Sequence, residues 1–143
     1  MNEALYQSIV LERSRHPHHA GRPAAFDAEG QGENRMCGDK ISVFLNRHGM
    51  GLHHEAEGCA ILAASAELMC EAATGKTADE IAILSHKFEH LVKTGQENPE
   101  LGDLNALAGI AQYPSRLRCA TLPWSALRDA IARASAAGDA VHG

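Results

Sequence analysis

Aromatic side chains are scarce, with one tryptophan, two tyrosines and three phenylalanines in 143 residues, so an interior must be built from aliphatic groups. No apolar run approaches the roughly 18 residues that a membrane-crossing helix needs, and no membrane partner is expected. Basic charge is in deficit: 13 Lys and Arg stand against 18 Asp and Glu, a net charge of −5. Without a basic field there is little to hold a phosphate backbone, so nucleic acid is not expected as a partner. Four cysteines are too few for a disulfide scaffold. Met1–Val10 holds no basic stretch followed by an apolar one, the pattern of a secretory leader, and a cytoplasmic location is expected. There is no Gly-rich phosphate loop and no G-x-S-x-G elbow.

Hydrophobic residues make up 45% of the chain and charged ones 22%, the proportions of a globular protein rather than a disordered one. At about 100–200 residues per domain, the length predicts a single domain over residues 1–143, with a frayed tail after about residue 134. Glu3–Arg13 carries Leu5, Ile9 and Val10 at helical spacing, and a Pro- and Gly-bearing loop follows. Ala24–Glu33 is polar and holds at most one weak edge strand. Ile41, Val43 and Leu45 alternate with Lys40, Ser42, Phe44 and Asn46, the period of a strand. A turn over Asn46–Gly49 and a second strand over Met50–Glu57 complete a hairpin. From Cys59 the period becomes helical, and Gly75 can stop that helix. Thr77 with Glu80 reads as a capping box for a helix that buries Ile81, Leu84, Phe88, Leu91 and Val92 and ends at Gly95. Asn98-Pro99 opens a short helix. Pro114-Ser115 opens a last one, with Pro123 early in it. The order predicts an α+β fold: a small antiparallel sheet of about three strands with helices packed on one face.

Three cysteines fall at element boundaries. Cys37 precedes the first clear strand, Cys59 starts a helix, and Cys119 lies in the first turn of the last helix. A helix N-terminus favours a thiolate, which predicts lowered pKa values for Cys59 and Cys119. Asp39 is a fourth candidate ligand, because in an extended chain it shares a face with Cys37, and Gly38 between them clears space. Three thiolates and a carboxylate would suit zinc or an iron–sulfur cluster. Such a centre is anionic, and Arg116 and Arg118 flank Cys119 to offset it. On spacing alone two readings stand, this ligand set or four scattered thiols.

Cys70, on the stripe of its helix beside Met69, reads as a core thiol. His86-Lys87-Phe88-Glu89-His90 matches the H-x-x-E-H pattern of a class of zinc peptidases, but a chain this small can hardly supply the substrate chamber, and solvated helix histidines are the expectation. His16, His18 and His19 read as loop residues. His53 and His54 lie on the hairpin's second strand, one of them facing outward.

Cys37-Gly38-Asp39, Gly58-Cys59-Ala60-Ile61 and the run from Arg116 through Cys119 to Trp124 resemble the three cysteine motifs of the IscU/NifU-type iron–sulfur cluster assembly proteins. The resemblance is closer to the SufU branch, on the long interval between Cys59 and Cys119 and on the basic Arg118 before the third cysteine. It covers most of the chain. The sequence departs from the family at Asn34-Arg35-Met36, where Asn-Pro is usual, at Leu62, where the SufU branch commonly has serine, and in a trimmed hairpin.

The resemblance implies zinc bound by Cys37, Asp39, Cys59 and Cys119. Cys37 would accept sulfur from a cysteine desulfurase of the SufS type, for downstream iron–sulfur assembly or acceptor proteins. One alternative is a scaffold holding a transient [2Fe–2S] cluster on the same residues. Another is a structural zinc module, against which the carboxylate ligand argues, since closed structural sites usually use cysteine and histidine.

Overall fold

The computed structural model describes the chain over residues 3–46 and 51–142, with side chains over 6–46 and 51–135. Helix α1 (Glu3–Arg15) leads into strands β1 (Ala28–Asn34), β2 (Asp39–Asn46) and β3 (Gly51–Glu57). Helices α2 (Ala60–Ala73), α3 (Ala78–Thr94) and α4 (Leu117–His142) follow, with short 3-10 turns over Pro99–Gln112 and Pro114–Arg116 before α4. The strands form one antiparallel sheet in the order β1-β2-β3, and the fold is α+β as expected. The expected turn at Asn46–Gly49 falls, from Arg47 on, outside the described residues, as does Met50.

β2 shows why the sheet faces as it does. Ile41 and Val43 point to the helices and are buried with Leu52 of β3 among Leu62, Met69, Leu122 and Trp124. Phe44 points the other way and is buried too. Phe26 packs on it with ring centroids 5.0 Å apart, and the Arg22 guanidinium lies over both rings. The aliphatic core predicted from the composition is present, and the single Trp124 stacks on Phe88 within it.

β1 reads poorly as a strand because it carries Gly30 and Gly32. Both have a packing reason: α4 crosses so closely that a Cβ on Gly30 would lie 1.9 Å from the Ala126 carbonyl oxygen. α4 also covers the strand's free edge, where the Asp129 carboxylate accepts the Gln31 N–H at 3.1 Å. The capping box of Thr77 and Glu80 and the left-handed Gly95 cap bound α3 as predicted. The segment after Asn98 is not one short α-helix. It is a 3-10 run broken at Gly102, whose φ of 54° and ψ of −127° interrupt the helix. α4 runs through Pro123 and on to His142.

Candidate metal centre

The site gathers where β1 turns into β2, where β3 runs into α2, and where α4 begins. At the first corner Asn34 shapes the turn: its side-chain oxygen accepts the Met36 N–H at 3.2 Å, and its carbonyl accepts the Cys37 N–H at 3.2 Å. Gly38 takes a φ of 71°, a conformation that suits glycine. Cys37 therefore sits in a turn rather than in an extended strand. Turn geometry, not strand alternation, carries it to the side of Asp39. The turn tip is open, with Cys37 exposed beside a Met36 that is 96% exposed.

Asp39, the first residue of β2, is 1% exposed. One carboxylate oxygen accepts the Cys59 backbone N–H at 3.4 Å. The other accepts the Cys119 thiol at 2.9 Å. This approach depends on Gly58, where a Cβ would lie 2.1 Å from Asp39 Oδ1. Cys59 is the N-cap of α2, and its side chain makes no capping hydrogen bond. It faces the sulfur of Cys119 and the guanidinium of Arg116.

One ligand atom each from Cys37, Asp39 and Cys119 lies within 4.8 Å of the others, the one such cluster of metal-binding side chains among the described residues. The fourth candidate, Cys59, stands beside this group rather than within it. The expected lowering of the Cys119 pKa does not hold. Burial pushes this thiol up to about 12, and its hydrogen bonds with Asp39 and Cys59 act in the same direction. A helix end contributes only about 0.3–1 kcal/mol at a surface, too little against burial between acidic neighbours. Of the two flanking cations, Arg116 is engaged: the charges of Cys59 and Cys119 hold its guanidinium above the ordinary value. Arg118 is exposed.

Cys70 is the core thiol expected. Burial, with Glu67 and Glu71 nearby, holds it far above the usual thiol range. The histidine–glutamate motif of α3 forms no site: Glu89 pairs with Arg128 at 3.3 Å, and His90 bonds Gln96.

A buried group went unread in the sequence. Glu67 of α2, with no exposed surface, accepts the His19 backbone N–H at 2.9 Å and bonds the His19 ring at 2.6 Å. The oxygen that accepts the His19 N–H also bonds His54 Nε2 at 3.1 Å, and the other oxygen takes the His19 ring. The signal was a carboxylate set between Ala66 and Leu68 on the apolar stripe of α2, which must find partners if buried.

Residues 5–120 match the family described as NifU-like N terminal domain. The chain is 39% identical over 137 residues to the iron-sulfur cluster assembly scaffold protein IscU of Streptococcus pyogenes serotype M1, covering 92% of this chain and 85% of that one. It is 30% identical over 139 residues to the zinc-dependent sulfurtransferase SufU of Bacillus subtilis (strain 168), covering 92% of each. A crystal structure of a hypothetical protein superposes with a TM-score of 0.83 at 38% identity, covering 92% of this chain and 100% of the other.

Proposed function

The chain belongs to the NifU-like N-terminal domain family of iron–sulfur cluster assembly, and from that premise we propose that it is a zinc-dependent sulfur carrier. It would take sulfur from the persulfide of a cysteine desulfurase of the SufS type. The observation that carries this reading is the meeting of an exposed thiol, Cys37, with a buried carboxylate and a buried thiol, Asp39 and Cys119. The relative named a zinc-dependent sulfurtransferase supports it.

The donors fit zinc. A buried carboxylate that leans on a thiol and a backbone N–H is a poor resting place for a negative charge. A divalent cation held by Cys37, Asp39, Cys59 and Cys119 would complete it, with Cys59 swinging in from its place beside Cys119. Bound zinc would keep its thiols deprotonated near neutral pH.

The chain's own residues divide the remaining work. Cys37 is open to a partner, whereas Cys119 is sealed beneath it. The Cys37 thiolate would attack the outer sulfur of the donor persulfide. The donor's S–S bond breaks, the donor leaves as a thiolate, and Cys37 retains the sulfur as a persulfide, with no net oxidation. Arg116 would offset the negative charge of Cys59 and Cys119 and favour their ionised forms. Asp39 is the hardest donor among soft thiolates and so the readiest to exchange.

The relative named a scaffold favours a second reading, in which the same residues hold a transient [2Fe–2S] cluster for downstream acceptor proteins. A closed structural zinc site is disfavoured by the exposure of Cys37.

Anaerobic purification with metal analysis and a desulfurase assay decides among the three. We expect a colourless protein with one zinc that accelerates a SufS-type desulfurase and carries a persulfide by mass spectrometry. Cys37→Ala is expected to abolish that persulfide while the thermal midpoint stays within a few degrees. Brown protein with iron and acid-labile sulfide would move the conclusion to the scaffold. Zinc without any effect on a desulfurase would leave the structural module. A persulfide surviving in Cys37→Ala would transfer the acceptor role to Cys59 or Cys119.

A further inference from the structure

α2 and α4 each carry a cysteine of the site, and the distance between those cysteines depends on how the two helices are indexed. The Asp39 carboxylate links them, but it is a proposed ligand, so its hydrogen bond to Cys119 would be given up when a metal binds. A second link lies deeper. Ser65 of α2 has no exposed surface, and its hydroxyl donates to the Ala120 carbonyl of α4 at 2.6 Å. A serine inside a helix ordinarily turns its hydroxyl back to the carbonyl four residues earlier; this one crosses to another helix.

The acceptor adjoins Cys119, in the part of α4 least able to hold itself. Helix hydrogen bonds run from each N–H to the carbonyl four residues before, so the group that should bond the Cys119 carbonyl is the N–H of residue 123. Residue 123 is proline and has none. The turn bearing Cys119 thus lacks an internal bond, and Ser65 fastens it from outside one residue further on.

We propose that Ser65 is a positioning residue for the metal centre: through the Ala120 carbonyl it holds the Cys119 turn of α4 at a set distance from Cys59 at the head of α2. This rests on the metal-binding reading above. Pro123 is the other half of the device, because it leaves the turn dependent on the external bond.

Cobalt substitution tests it, since the energies and intensities of the ligand-field bands report donor geometry and the thiolate-to-cobalt band reports ligation. Ser65→Ala is compared with Ile81→Val, a buried α3 variant remote from the site, and with Pro123→Ala, alone and combined with Ser65→Ala. In Ser65→Ala we expect shifted ligand-field bands and affinity for Co²⁺ weakened about tenfold or more, the range for outer-sphere support of a metal ligand. Ile81→Val should leave both unchanged at a comparable loss of thermal midpoint. Pro123→Ala returns an N–H to the turn, so Ser65→Ala should cost less in that background. Unchanged bands and affinity in Ser65→Ala, an equal loss in Ile81→Val, or an undiminished loss in the double variant would each overturn the positioning role. A wild-type protein that shows no thiolate-to-cobalt band would overturn the metal-binding reading itself, and this inference with it.

Discussion

Glu67 helps to fasten the N-terminal segment, beside the backbone bonds that His19 and Gly21 make with His54. A carboxylate without exposed surface costs several kcal/mol unless it is bonded, and here His19 and His54 supply the bonds. Burial alone would raise its pKa, but the hydrogen bonds from His19 and His54 prevail and hold it below the usual 4.5. His54 is held below its usual 6.5, chiefly by burial, against the pull of Glu67. Both shifts act in one direction. Below about pH 6.5 the unfolded chain takes up a proton on this histidine that the folded protein resists, and below about pH 4.5 the unfolded carboxylate does the same. Stability is therefore fully present near neutrality and lost on acidification. Urea unfolding of the metal-free protein should show it falling steadily from pH 7 to pH 4. Glu67→Ala should cost about 2–4 kcal/mol at pH 7, since it strands the donors it served. A profile flat over that range would refute the assignment.

At the scale of elements, Gly58 decides whether β3 can deliver Cys59 to α2 without displacing Asp39. Its φ of 153° and the 2.1 Å between a would-be Cβ and Asp39 Oδ1 leave no room for a side chain. Gly58→Ala should push the carboxylate from the site and weaken zinc affinity at least tenfold, as measured by competition with a chromogenic chelator. The sheet, whose pairing ends at Glu57, should keep its circular dichroism. Zinc affinity equal to wild type would show that Asp39 is not held there. Element legibility follows the same logic. Caps and periodicity are local, so α3 was readable from Thr77 to Gly95. β1 was half-hidden because Gly30 and Gly32 answer to α4, nearly a hundred residues away in the chain. The break at Gly102 left no mark beyond a glycine.

Across the whole molecule the centre borders one continuous core, with Cys59 packed against it. Val43, Leu62, Phe88, Leu107, Trp124 and Leu127 are fully or almost fully buried and form a continuous cluster. Removal of metal by a chelator should lower the thermal midpoint by several degrees, as loss of a bound ligand requires, and leave the helical signal intact at 25 °C. Unfolding on chelation would instead favour the structural zinc reading. No described helix is long and apolar enough to cross a membrane. Chain order and local chemistry were enough to announce an α+β arrangement and to put forward Cys37, Asp39, Cys59 and Cys119 as candidates, because period, capping and motif are written in neighbouring residues. Packing alone settled that Cys119 is sealed and hard to ionise, that Cys59 stands beside the other three, that Arg116 faces Cys59 and Cys119, and that Glu67 clasps two histidines. Those properties arise from burial and from distances between segments remote in the chain, quantities that no run of adjacent residues contains.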